Sequence, residues 1–151
     1  MSMDIIFNWA NYSVMPFWAL LIILPGFKIT EQLVHSGLAP ILLGLVYTSF
    51  MVHGLVVGGG PEGAGMDSLQ ALMIGFTDPQ AVVTGWVHYL AFDLFCGAWL
   101  ARDSRRIGIP HLAIVVPLLL TFAAGPLGLL IYLVMRYFWK QRFTLVEVAA
   151  Q

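Results

Sequence analysis

Gly85-Trp86-Val87-His88-Tyr89-Leu90-Ala91-Phe92-Asp93-Leu94-Phe95 decides the fold of this chain. The stretch sets a tryptophan, a histidine, a tyrosine and an aspartate inside an apolar run long enough to cross a bilayer. An ionisable side chain at that depth costs roughly 2.5–3.5 kcal/mol on insertion scales, so it is kept for a partner or a task. Asp78-Pro79 precedes the run. An aspartate N-cap followed by proline at the first helical position is a strong helix start. Residues 79–101 therefore read as one membrane-crossing helix, which needs about 20 apolar residues.

The rest of the chain follows the same pattern. Of 151 residues, 60% are hydrophobic and 10% charged, with a mean hydropathy of +0.86. A soluble domain carries about 25% charged residues. The expected fold is all-α: one integral membrane domain, 1–143, of four transmembrane helices at 5–26, 38–57, 79–101 and 110–135. Residues 144–151 read as a flexible tail. Pro16 is tolerable inside the first span if neighbouring groups satisfy the freed carbonyl. Pro117 and Gly125-Pro126 are expected to kink the fourth. The glycine-rich linker at 58–67 leads to a short apolar piece, 69–76. It is too short to span and reads as interfacial or re-entrant. Residues 102–108 read as a polar loop.

Charge and cysteine content narrow the class. The net charge is −1, so no basic field awaits nucleic acid. The single cysteine, Cys96, permits neither an internal disulfide nor a cysteine metal cluster. No metal site is expected. The N-terminal residues lack the basic segment of a secretory signal and the composition of a transit extension. With four spans both termini share one side. The loops opposite them hold Lys28, Arg102, Arg105 and Arg106, against Arg136, Lys140 and Arg142 on the terminal side. That balance gives no firm orientation, and Asp4 and Lys28 tilt the arginine loop towards the cytoplasm. Arg102, Arg105 and Arg106 are expected to anchor anionic headgroups, with Asp103 pairing locally.

Helix geometry divides the opening stretch. At 100° per residue Trp86, Tyr89, Asp93 and Gly97 share a face, while His88 and Asp93 point about 140° apart. Each needs a partner from another helix. Depth, at about 1.5 Å per residue, offers Tyr47, Thr48 and Thr121 as donors to Asp93. It places His88 nearer Asn11, Ser49 and His53. Asp93 and His88 could then line an internal cavity as proton donor and acceptor. The alternative is that Asp93 is a structural hydrogen-bond hub, worth about 1–2 kcal/mol. His35 and His111 lie at span boundaries and read as solvated or capping.

Several classes drop out. Residues 58–65 lack the Lys-Ser/Thr of a phosphate-binding loop, and no H-E-x-x-H occurs. A haem held by His53 and His88 is disfavoured, because their depths differ by about 7 Å. Four small spans without an inverted repeat make a poor secondary transporter.

The stretch 85–95 resembles a family signature, as do Ala101-Arg102-Asp103-Ser104-Arg105-Arg106-Ile107-Gly108-Ile109-Pro110-His111 and Leu119-Leu120-Thr121-Phe122-Ala123-Ala124-Gly125-Pro126-Leu127-Gly128-Leu129-Leu130. The family is the abscisic-acid-deficient-four-like one. The likeness is dense over 84–136 and looser over the two N-terminal spans. It implies a four-helix membrane protein of xanthophyll metabolism. The plant member is implicated in turning the epoxide violaxanthin into the allenic neoxanthin, an isomerisation without a redox cofactor. The family supplies no residue roles for such a step; from the residues of this sequence, Asp93 is expected as the acid, His88 as the base and Tyr89 as a helper. Trp86, Phe92, Trp18, Tyr47 and Thr121 would contact a bound carotenoid. The expected partners are the lipid bilayer, an apolar polyene and a larger membrane complex or a second copy of the chain. The expected location is a bacterial inner or photosynthetic membrane. The competing reading is a non-catalytic carotenoid-binding or accessory subunit.

Overall fold

The computed structural model describes residues 2–58, 60–141 and 144–145. The described residues form seven helices and no strand. These are α1 (Met3–Ile23), α2 (Lys28–Leu33), α3 (Leu38–Val57), α4 (Leu69–Gly75), α5 (Pro79–Ile107), α6 (His111–Ala124) and α7 (Pro126–Lys140). Three stretches are long and apolar enough to cross a membrane: α1, α5, and Lys28–Gly54, which holds α2 and most of α3.

Helix α5 is the central post, packed against α1, α3, α6 and α7. It starts as expected: the Asp78 carboxylate accepts from the Gln80 amide at 3.1 Å, with Pro79 in the first turn. Its end is a correction, because 102–107 continue the helix rather than forming a loop. Arg105 and Arg106 sit in the last turn, where cations favour the helix dipole. The stop comes at Gly108, in the left-handed conformation at φ +78.

The N-terminal helices connect at the arginine end of α5. Helix α1 stops before Pro25-Gly26, and the Thr30 hydroxyl donates to the Leu24 carbonyl at 2.5 Å. Arg105 donates to the Pro25 carbonyl at 3.1 Å. His35 pairs with Arg102, and His111 pairs with the Ile22 carbonyl at 2.8 Å. The expected short piece at 69–76 is α4, capped by Ser68, with the Phe76 ring lying over Gly85.

The main correction concerns 110–135. This segment is not one kinked span but two helices of 14 and 15 residues. Each is about 21–23 Å long at 1.5 Å per residue, short of a hydrocarbon core of ~30 Å. Gly125 breaks the helix at φ 14, ψ −81, and Pro126 opens the next one. A proline there removes a helix hydrogen bond and clashes with the turn before it. Helix α7 then runs back along α6. Gly128 sits so close that a Cβ would lie 2.1 Å from the Thr121 amide nitrogen and 2.4 Å from the Pro117 carbonyl oxygen. Tyr132 and Arg136 of α7 reach Asp103, near the end of α5. The pair is a helical hairpin, open at the arginine end, with its tip at Gly125 halfway along α5.

The reversal also corrects the expected topology. The start of α1 and the end of α7 lie at opposite ends of the bundle. Arg136 and Lys140 join Lys28, Arg102, Arg105 and Arg106 at one end, and Arg142 lies outside the described residues. The expected tail also lies outside them from residue 146 on. Thr144 is described, and its carbonyl accepts from Arg136 at 2.8 Å.

Candidate functional site at the hairpin tip

Asp93 faces the tip of the hairpin. It is buried, at 8% exposure, and its Oδ2 has no hydrogen-bond partner among the described residues. Its Oδ1 would lie only 2.2 Å from a Cβ added at Gly125, so the carboxyl rests directly on the tip backbone. Only glycine leaves room for this approach. The 15-residue α7 starts at the same place, and the amide dipoles of its first turn present partial positive charge there. Irregular backbone at membrane depth is tolerated where protein covers it, and Gly125 is buried against α5 while its neighbours Ala124 and Pro126 are exposed.

One turn before Asp93, the Tyr89 hydroxyl faces the carboxyl without a strict hydrogen bond to Oδ2. An aromatic run leads away from it. Tyr89 stacks on Trp86 with ring centroids 5.2 Å apart, and Trp86 meets Phe7 of α1 at 5.5 Å. The Trp86 indole donates to Asn11 of α1 at 3.0 Å, which fixes the ring. On the other side of Asp93 the floor is Trp18, buried at 3% exposure. Its ring lies against Gly97, where a Cβ would sit 2.6 Å from it, and edge-on to Phe122.

The structure separates the expected catalytic trio. Tyr89 and Asp93 come together, whereas His88 does not join them. The His88 ring lies on the α3 flank between Tyr47, at 5.5 Å, and Phe92, at 4.6 Å. His88 and Phe92 are exposed on that flank. The expected donors to Asp93 are also placed elsewhere. Tyr47 meets His88, Thr48 lies on the exposed face of α3, and the Thr121 hydroxyl donates to the Pro117 carbonyl at 2.8 Å. Thr121 misses Asp93 because α5 runs to Ile107 rather than ending at Ala101, which moves the level of Asp93 about a turn along α6, from Thr121 to Gly125. Trp18, Trp86 and Tyr89 border the tip, as the shared face of α5 requires. Two open concavities of the described surface lie on the outer face of α3 and beside α4, and Asp93 lines neither.

A second polar cluster escaped the sequence reading. Asp103 is buried and accepts from Arg106 at 2.5 Å, from Tyr132 at 2.5 Å and from Arg136 at 2.7 Å. A local pairing of Asp103 with one of the neighbouring arginines was expected, and the structure makes it Arg106. Arg136 was expected on the other side of the membrane, and Tyr132 fell inside the expected fourth span. Their spacing of four residues, which puts both on one face of a helix, was the available signal.

Comparison with known proteins places this sequence in a family. A family model described as ABA DEFICIENT 4-like matches residues 5–132, which include the hairpin tip and, of the second cluster, Asp103, Arg106 and Tyr132. The chain belongs to this family. This ABA DEFICIENT 4-like chain is also 25% identical over 107 residues to Protein ABA DEFICIENT 4, chloroplastic, of Arabidopsis thaliana. That match covers 66% of this chain and 47% of the plant protein. The chain thus spans about half the length of the curated relative it matches. The relative is chloroplastic, so it lends a bacterial inner membrane no support. No solved structure matches the chain.

Proposed function

We propose that this chain is a membrane protein of carotenoid metabolism that isomerises an epoxy xanthophyll at Asp93. One observation carries the reading: a buried carboxyl oxygen without a hydrogen-bond partner among the described residues, at the end of the ring series Phe7, Trp86 and Tyr89. A flat polyene stacks on such rings, and its epoxide end group would meet the carboxyl. Protonated Asp93 donates to the epoxide oxygen as the C–O bond breaks. The same carboxyl accepts the proton of the neighbouring polyene carbon on its other oxygen, and the electron pair of that C–H bond completes the allene. The proton given and the proton taken balance, Asp93 ends as it began, and no oxidant or reductant is consumed. Tyr89 donates a hydrogen bond to the carboxyl in its anionic phase. His88, on the opposite flank, has no part in this scheme.

The test is expression in a host that accumulates several epoxy and hydroxy xanthophylls, followed by pigment chromatography. A new isomeric pigment is expected with the wild-type chain. Asp93→Asn should abolish it at unchanged protein level. An unaltered pigment profile with the wild-type chain overturns the reading.

A further inference from the structure

The basic residues of the chain gather at one end. Lys28, Arg102, Arg105, Arg106, Arg136 and Lys140 all lie at the arginine end of α5, against Glu31 and Asp103 there. The opposite end holds Asp4, Glu62, Asp67 and Asp78 and, among the described residues, no Lys or Arg. This segregation exists only because α7 returns. A fourth crossing helix would have carried Arg136 and Lys140 to the acidic end. Chain reversal at Gly125 and the placement of charge are separate observations, and they agree. Positive residues flanking spans stay in the compartment from which a membrane protein is inserted.

We infer that the chain crosses the bilayer three times, with α6 and α7 entering and leaving by one face, and that the basic rim on that face docks on anionic phospholipid headgroups. Two half-length helices joined at a buried tip cannot reach the far surface. Both their open ends must therefore emerge among the headgroups beside Arg102 and Arg105. Lys28, Arg102, Arg105, Arg106 and Lys140 are exposed on this rim, whereas Arg136 is buried against Asp103. Guanidinium groups bind phosphate in paired hydrogen bonds, which makes a phosphodiester headgroup the fitting ligand. The inference does not depend on any pigment chemistry.

Two measurements on the full chain test it. Single cysteines replace Ser2 and Gln141 in a Cys96→Ser background, and sealed vesicles are treated with a membrane-impermeant maleimide. Labelling from opposite sides is expected, with Gln141→Cys on the insertion side. Labelling from the same side overturns the three-crossing topology, and the reverse polarity overturns the orientation. The chain is also placed in nanodiscs of phosphatidylcholine with and without phosphatidylglycerol, and retained lipid is counted by native mass spectrometry. Phosphatidylglycerol should be retained preferentially, and the pair Arg102→Gln/Arg105→Gln should lower that retention by roughly half or more. If that pair misfolds, Lys28→Gln/Lys140→Gln, on the same rim, should give a fall in the same direction. Equal retention of both lipids, or retention insensitive to either pair of substitutions, overturns the docking surface.

Discussion

At the scale of single residues, the tip is defined by what it leaves out. Gly125 and Gly128 remove side chains where α5, α6 and α7 converge. The obstacle to Gly125→Ala is the Asp93 carboxyl, which can turn aside. The obstacle to Gly128→Ala is the backbone of α6, which cannot. Overpacking costs about 1–3 kcal/mol, so Gly128→Ala should fall at or above the top of that range and Gly125→Ala below it. Thermal unfolding in detergent, followed by helical circular dichroism, gives the order, and equal losses would contradict this packing. If Asp93 is the proton carrier, Tyr89→Phe should retain the fold and slow pigment conversion by roughly 10²-fold, the low end for removing one hydrogen-bond donor from a developing anion. A variant as fast as wild type would remove Tyr89 from the mechanism. Helix periodicity was enough to part Asp93 from His88 before any coordinates. It could not name the neighbour of Asp93, because that neighbour is glycine backbone and carries no side-chain signal.

At the scale of elements, the hairpin is held at its open end by Asp103. Its carboxylate gathers Tyr132 and Arg136 from α7 and Arg106 from its own helix. Asp103→Ala would leave Arg136, 5% exposed, without its counter-charge. Breaking a buried ion pair from one side costs about 3–5 kcal/mol, and Tyr132→Phe should cost about 1–3 kcal/mol. The combination Asp103→Ala/Arg136→Leu should cost clearly less than the two single changes added together. Additive losses in denaturant unfolding would mean that the two side chains do not depend on each other. The same element shows why part of the fold was illegible. Residues 110–135 are apolar throughout, and hydropathy cannot tell one long helix from two short ones. Proline is common in membrane spans that merely bend. The discriminating features were the glycine before Pro126, the close-approach Gly128 and the polar face of α7, each weak alone. The first two spans and the start of the third were legible because they carry their own signals, such as Asp78-Pro79 and the glycines after Val57, whereas the charged last turns of the third hid its continuation to Ile107.

At the scale of the whole molecule, lipid removes the usual reason for a core. Acyl chains are as apolar as leucine, so helices associate through close packing and polar contacts rather than water exclusion. The described surface bears many large apolar side chains, Trp9 and Tyr12 at 69% exposure among them, as a lipid-facing surface does. What joins α1, α5 and α6 is then a matter of fit, and Trp18 is where the three meet. Its ring lies on Gly97 of α5 and edge-on to Phe122 of α6, beneath the carboxyl of the candidate site. Truncating a buried tryptophan costs about 3–5 kcal/mol, whereas a lipid-facing one belongs with surface changes of about 0.5 kcal/mol or less. Trp18→Ala should therefore lower the unfolding midpoint in detergent strongly, and Trp9→Ala should barely move it. The contrast has a sharper form. Gly97→Ala forces the Trp18 ring aside in an otherwise intact bundle, so adding Trp18→Phe should return part of the lost stability by making room. If Gly97→Ala is silent, or if Trp18→Phe only deepens its loss, then the three helices are not joined through this ring, and the hairpin tip must be held to α1 by other contacts.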